Sequence, residues 1–83
     1  MSLQKEAIKY IQDLLASRSL NITPRKMTFE DKEWMIFEYK DREIGIDHVS
    51  GVWTRTKDDE WNCLASPCNT SGAIQAVEFI TQE

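Results

Sequence analysis

Between residues 26 and 65 the chain adopts a hydrophobic period of two and is broken every few residues by short polar turns. The segments M-T-F (27–29), W-M-I-F-E-Y-K (34–40), E-I-G-I-D-H-V (43–49), V-W-T-R-T (52–56) and W-N-C-L-A (61–65) are rich in aromatic and branched residues, which suit strands. Between them stand E-D-K-E, D-R, S-G and K-D-D-E. Connections this short permit only antiparallel neighbours, since parallel strands need long crossovers. The middle of the chain is therefore expected to be an antiparallel meander of four or five strands, with 27–29 as a short edge strand.

On either side the period changes. Over residues 3–18, Leu3, Ala7, Ile8, Ile11, Leu14 and Leu15 recur at three- and four-residue spacing and form one apolar stripe, opposite Lys5, Lys9, Gln12 and Asp13. Ser2 is the expected N-cap, and Ser19, Asn21 and Pro24 end the helix. A second helix is expected from about Ser71 to Gln82, capped by Asn69, Thr70 or Ser71, with Ala73, Ile74, Val77 and Ile80 as its apolar face. The fold class is α+β: helix, antiparallel meander, helix, in two layers with both helices on one sheet face. Nothing in 83 residues invites a division, so 1–83 is expected to be one domain. The opening M-S-L and the final Glu83 are given no functional weight.

Composition narrows the partners. The net charge is −4, and the only local basic group is Arg18, Arg25 and Lys26, which argues against nucleic acid and against an anionic membrane. No apolar run reaches the ~20 residues of a membrane span, and no export signal is seen. The two cysteines, Cys63 and Cys68, are expected to be reduced thiols in a cytoplasmic protein.

Two-residue hairpins at Asp41–Arg42 and Ser50–Gly51 would fix the register. Phe37 then faces Ile46, Ile46 faces Arg55, and His48 lies beside Met35 and Trp53. On that register one face carries Met35, Phe37, Tyr39, Ile44, Ile46, His48, Trp53 and Arg55, and meets the helices. The other carries Trp34, Ile36, Glu38, Gly45, Asp47, Val49, Val52, Thr54 and Thr56. Trp34, Ile36, Val49 and Val52 would cluster at one end of it with nothing to cover them, a pattern that marks contact surfaces. Trp61 falls on the Trp34 face or in the core according to the length of the last turn.

The candidate chemistry is sparse. Cys68 stands where the last helix begins, and a helix N-terminus can lower a thiol pKa, so C-N-T-S is the one thiol motif to weigh. It follows a meander rather than the first strand of a βαβ unit, which disfavours redox chemistry. His48 is the only histidine, and one His with two Cys falls short of a structural metal site, so neither metal nor cofactor is expected. The aromatics Trp34, Phe37, Tyr39, Trp53 and Trp61 come with Glu38, Asp47, Asp58, Asp59 and Glu60 rather than with the cations of a base-stacking platform.

The expectation is a non-catalytic interaction or regulatory module, homodimeric through Trp34, Ile36, Val49 and Val52, or an acidic protein that masks a basic partner. Two alternatives stand beside it. One is a small-ligand binder with a pocket between sheet and helices near His48, Trp53 and Tyr39. The other is a thiol-dependent enzyme centred on Cys68.

Overall fold

A computed structural model describes residues 3–82. Helix α1 (Leu3–Ala16) leads into strands β1 (Arg25–Phe29), β2 (Lys32–Tyr39), β3 (Arg42–Ile46), β4 (Val52–Thr56) and β5 (Asn62–Ala65), and helix α2 (Thr70–Thr81) closes the chain. The strands form one antiparallel sheet in sequence order. The fold is the α+β arrangement expected, with five strands, and β1 is an edge strand. Ser2 and the side chain of Leu3 lie outside what is described.

Helix α1 buries Ala7, Ile11 and Leu15, one residue per turn on a single stripe. It ends in a Schellman motif: Ser19 takes a left-handed φ of 63°, the Leu20 N–H donates to the Leu15 carbonyl, and the Ser19 N–H donates to the Ala16 carbonyl. Helix α2 starts at the Asn69 cap, whose side-chain oxygen accepts from the Gly72 N–H at 2.6 Å. It buries Ala73, Ala76, Val77 and Ile80. Both helices pack on the same sheet face, and with Phe37, Ile44, Ile46 and Val52 they make one core cluster.

The register differs from the expected one, in two distinct ways. In the β2–β3 hairpin the turn residues are Lys40 and Asp41, not Asp41 and Arg42, because Lys40 adopts φ 57°. Phe37 therefore faces Ile44, and Ile46 faces Met35. That is a slip of two, so no side chain changes face. In the β3–β4 hairpin Ile46 pairs with Val52, leaving residues 47–51 as the loop in place of a two-residue turn. The parity changes, and every residue of β4 is turned over. Val52 and Thr54 face the helices, while Trp53 and Arg55 face away from them. Between β4 and β5 the register shifts at Val52/Trp53, where Val52 pairs with Ala65 and Trp53 with Cys63.

The physical reason for the longer loop is Asp47. Its carboxylate accepts from the Val49 N–H at 3.0 Å, the Gly51 N–H at 2.6 Å and the Trp53 indole N–H at 2.9 Å. The turn's positive φ belongs to Ser50, at 64°, not to Gly51. Gly51 is required for a different reason. A Cβ there would stand 2.5 Å from the Asp47 carboxylate, so only glycine lets that carboxylate close over the loop.

Candidate functional site

The face turned away from the helices is the most distinctive surface of the molecule. Met27 and Phe29 from β1, Trp34 and Ile36 from β2, Gly45 from β3, Trp53 from β4 and Trp61 ahead of β5 share it. No helix covers this face, yet Trp34 is only 8% exposed and Ile36 is fully buried. Side chains of the sheet itself do the covering. The Trp34 ring lies 5.7 Å from Trp53 and 5.6 Å from Trp61, centroid to centroid, and Phe29 meets it edge-on at 5.9 Å. Gly45 lies beneath this cluster. A Cβ at Gly45 would come within 2.9 Å of Trp34 and 3.0 Å of Trp61, so the missing side chain is what lets both indoles lie on the sheet.

Beside the tryptophans runs a row of charges. Glu43, 2% exposed, is held between Arg25, at 3.0 Å, and Arg55, at 2.7 Å. The Arg55 guanidinium also lies 4.4 Å over the Trp61 ring. Glu38 is directly opposite Glu43 across the strands, a repulsive pairing on its own, and Lys57 meets Glu38 at 2.6 Å. That contact holds the Glu38 carboxyl below its ordinary pKa and raises that of Lys57. The expected register sets Arg55 on the opposite sheet face from Glu38 and Asp47. The turned-over β4 puts Arg55 and Lys57 on their side. The sequence signal that bears on this is the length of the 47–51 loop, and a glycine beside a serine concealed it.

The four expected contact residues do not form one patch. Trp34 is nearly covered, Ile36 is buried beneath the outer-face side chains, Val52 is in the helix-side core, and Val49 stands 50% exposed in the 47–51 loop. What remains open at that end is Val49 together with Phe29, which is 48% exposed. A cavity of about 240 Å³ opens beside Phe29, lined also by Glu30, Lys32, Trp34, Asp47, His48 and Trp53. Two of the three expected pocket residues, His48 and Trp53, thus come together, but on the outer face rather than between sheet and helices. Tyr39 lies elsewhere, packed against the helix-side core and lining a separate cleft with Arg18, Leu20 and Thr81.

Cys68 sits just before the α2 cap, half-buried, and burial pushes its thiol pKa up. Its backbone N–H donates to the Ser50 carbonyl at 2.8 Å, tying the corner before α2 to the β3–β4 loop. Cys63 and Cys68 are both free thiols. Among the described residues no three His, Cys, Asp or Glu side chains are grouped as metal ligands, and no helix is long and apolar enough to cross a membrane. Set against family models, curated proteins and solved structures, the chain matches none.

Proposed function

We propose that the protein is a non-catalytic interaction module whose contact surface is the Phe29–Val49 end of the outer sheet face, and whose first partner is a second copy of the chain. The observation that carries this reading is that Phe29, 48% exposed, lines a cavity with Trp34 and Trp53 on the side without helices, while Val49, 50% exposed, stands in the 47–51 loop at the same end of the sheet. Charge supports the choice of a second copy. The chain as a whole carries −4, but on this face Arg25, Arg55 and Lys57 offset Glu38 and Glu43. Two such faces meet without net repulsion around a two-fold axis, the commonest symmetry of such assemblies. The thiol reading is disfavoured because burial keeps Cys68 protonated at neutral pH, and a protonated thiol is a poor nucleophile. Two free thiols in so small a chain fit a reducing compartment, the cytoplasm.

Light scattering on a sizing column tests the proposal. A dimer is expected at about 100 µM, a concentration that populates even weak specific contacts. The double variant Phe29→Ser, Val49→Ser is expected to run as a folded monomer. A wild-type monomer at that concentration, or a dimer unaffected by the double variant, removes this reading. For Cys68, alkylation slower than that of the exposed Cys63 at pH 7 is the expected result.

A further inference from the structure

The cavity beside Phe29, about 240 Å³, is too small for a drug-sized ligand and large enough for one compact headgroup. Three of its lining residues are aromatic: Phe29, Trp34 and Trp53. Their rings are inclined to one another rather than stacked, Phe29 to Trp34 at 72° and Trp34 to Trp53 at 42°. Rings at such angles bound a space from different sides. An aromatic face carries the negative side of the ring quadrupole, so a space of this kind attracts a cation.

A second and independent feature gives the cavity its charge. Asp47 lines it, is only 7% exposed, and forms no ion pair among the described residues. Glu43, the other buried carboxylate, is held by two arginines. Hydrogen bonds from the Val49 and Gly51 N–H groups and from the Trp53 indole satisfy the Asp47 oxygens, but they leave its charge in place. The indole bond also polarises the Trp53 ring, which makes its face more negative.

The donors already in place decide which cation fits. Three of the about four acceptor positions on the Asp47 carboxylate are taken, so an incoming group finds charge there but little room for hydrogen bonds. A primary ammonium would give up water without replacing its bonds, whereas a fully alkylated nitrogen has no N–H to satisfy. Glu30 adds a second negative charge to the lining, and Lys32, its one lysine, is exposed and can extend its ammonium into water. The lining comes from two short segments, 29–34 and 47–53, which suits a free headgroup rather than a side chain delivered along a peptide. We propose that this cavity binds the quaternary ammonium headgroup of a small molecule, its methyl groups against Phe29, Trp34 and Trp53 and its charge facing Asp47. The site does not depend on self-association, although the two share Phe29.

The test is a titration of the full chain with choline chloride at constant ionic strength, read by NMR from the indole N–H signals. The sample is diluted until light scattering shows a monomer, so that this site and the dimer proposed above fail separately. Choline is expected to move the Trp34 and Trp53 indole signals. The alcohol 3,3-dimethylbutan-1-ol, which has the same shape without the charge, is expected to bind about fivefold or more weakly. Phe29→Leu keeps an apolar side chain at a half-exposed position, so it should stay folded while weakening choline about threefold. Lys32→Gln removes a like charge and should tighten choline about twofold. The inference is overturned by any one of four results. They are no indole shift with choline up to about 50 mM, equal binding of the neutral alcohol, tighter binding of a trimethyllysine peptide than of choline, or Phe29→Leu binding choline as tightly as the wild type.

Discussion

The two faces of this sheet are dry for different reasons. The inner face is conventional: Phe37, Ile44, Ile46 and Val52 meet the aliphatic stripes of α1 and α2. The outer face has no second layer, and it hides Ile36 and Glu43 with large flat side chains and a clamped carboxylate. Aliphatic residues cannot do this, because they stand upright on a sheet and leave gaps. Indoles laid over a glycine and a guanidinium laid over an indole shed water from a single layer. A small domain thus gains a second, thinner core, at the cost of tighter requirements on each residue in it.

The largest expected effect belongs to the inner face. Phe37→Ala should cost about 4 kcal/mol in denaturant unfolding, because a fully buried ring leaves a cavity that helices and strands on several sides cannot close. If the outer face is a true core, Trp34→Ala should come close, at about 3 kcal/mol, and a loss below about 1 kcal/mol would reduce that face to surface decoration. Gly45→Ala sharpens the comparison, since it adds one carbon under both indoles. About 2 kcal/mol is expected, with a change in tryptophan fluorescence that no inner-face substitution produces.

Arg55→Ala should cost about 2 kcal/mol, since it strips Glu43 of its shorter contact and Trp61 of its cover. A control away from both faces runs in the other direction: Ser19→Gly should stabilise by about 1 kcal/mol by relieving the left-handed φ that ends α1.

The smallest effect is the pH dependence of the exposed Glu38–Lys57 pair. Glu38 is depressed, so its contribution is present above the unfolded carboxyl pKa and is lost as pH falls through the folded one. Lys57 is raised, so its share is present below the unfolded lysine pKa and is lost as pH rises through the folded one. Wild type and Lys57→Gln should therefore differ slightly near neutrality and converge in acid. A gap that persists in acid would mean that the lysine acts through something other than Glu38.

The elements were legible because each rests on a long periodic signal: the stripe Ala7–Ile11–Leu15, the alternation in 34–40, and the Ala73–Val77–Ile80 face. The pairing was legible only in part, because it depends on turns, and these turns break the usual code. Positive φ is carried by Ser19, Glu30, Asp31, Lys40 and Ser50 and by none of the glycines. Reading Gly51 as the turn residue shortened the loop and reversed β4, which exchanged Val52 with Trp53 and hid the Arg55–Glu43 pair. Asp47 looked like an unpaired carboxylate and is the organiser of that loop, a role that rests on backbone N–H groups no side-chain pattern reveals. His48 and Trp53 lie near each other under either register, since both flank that loop.

The 47–51 loop presents its two ends to different sides of the protein: His48 lines the cavity beside the tryptophans, and Ser50 lines the groove beside α1. Its internal bonds and the Cys68 strut make it a single latch, so the Gly51 and Cys68 amides should exchange with deuterium together, in one opening event.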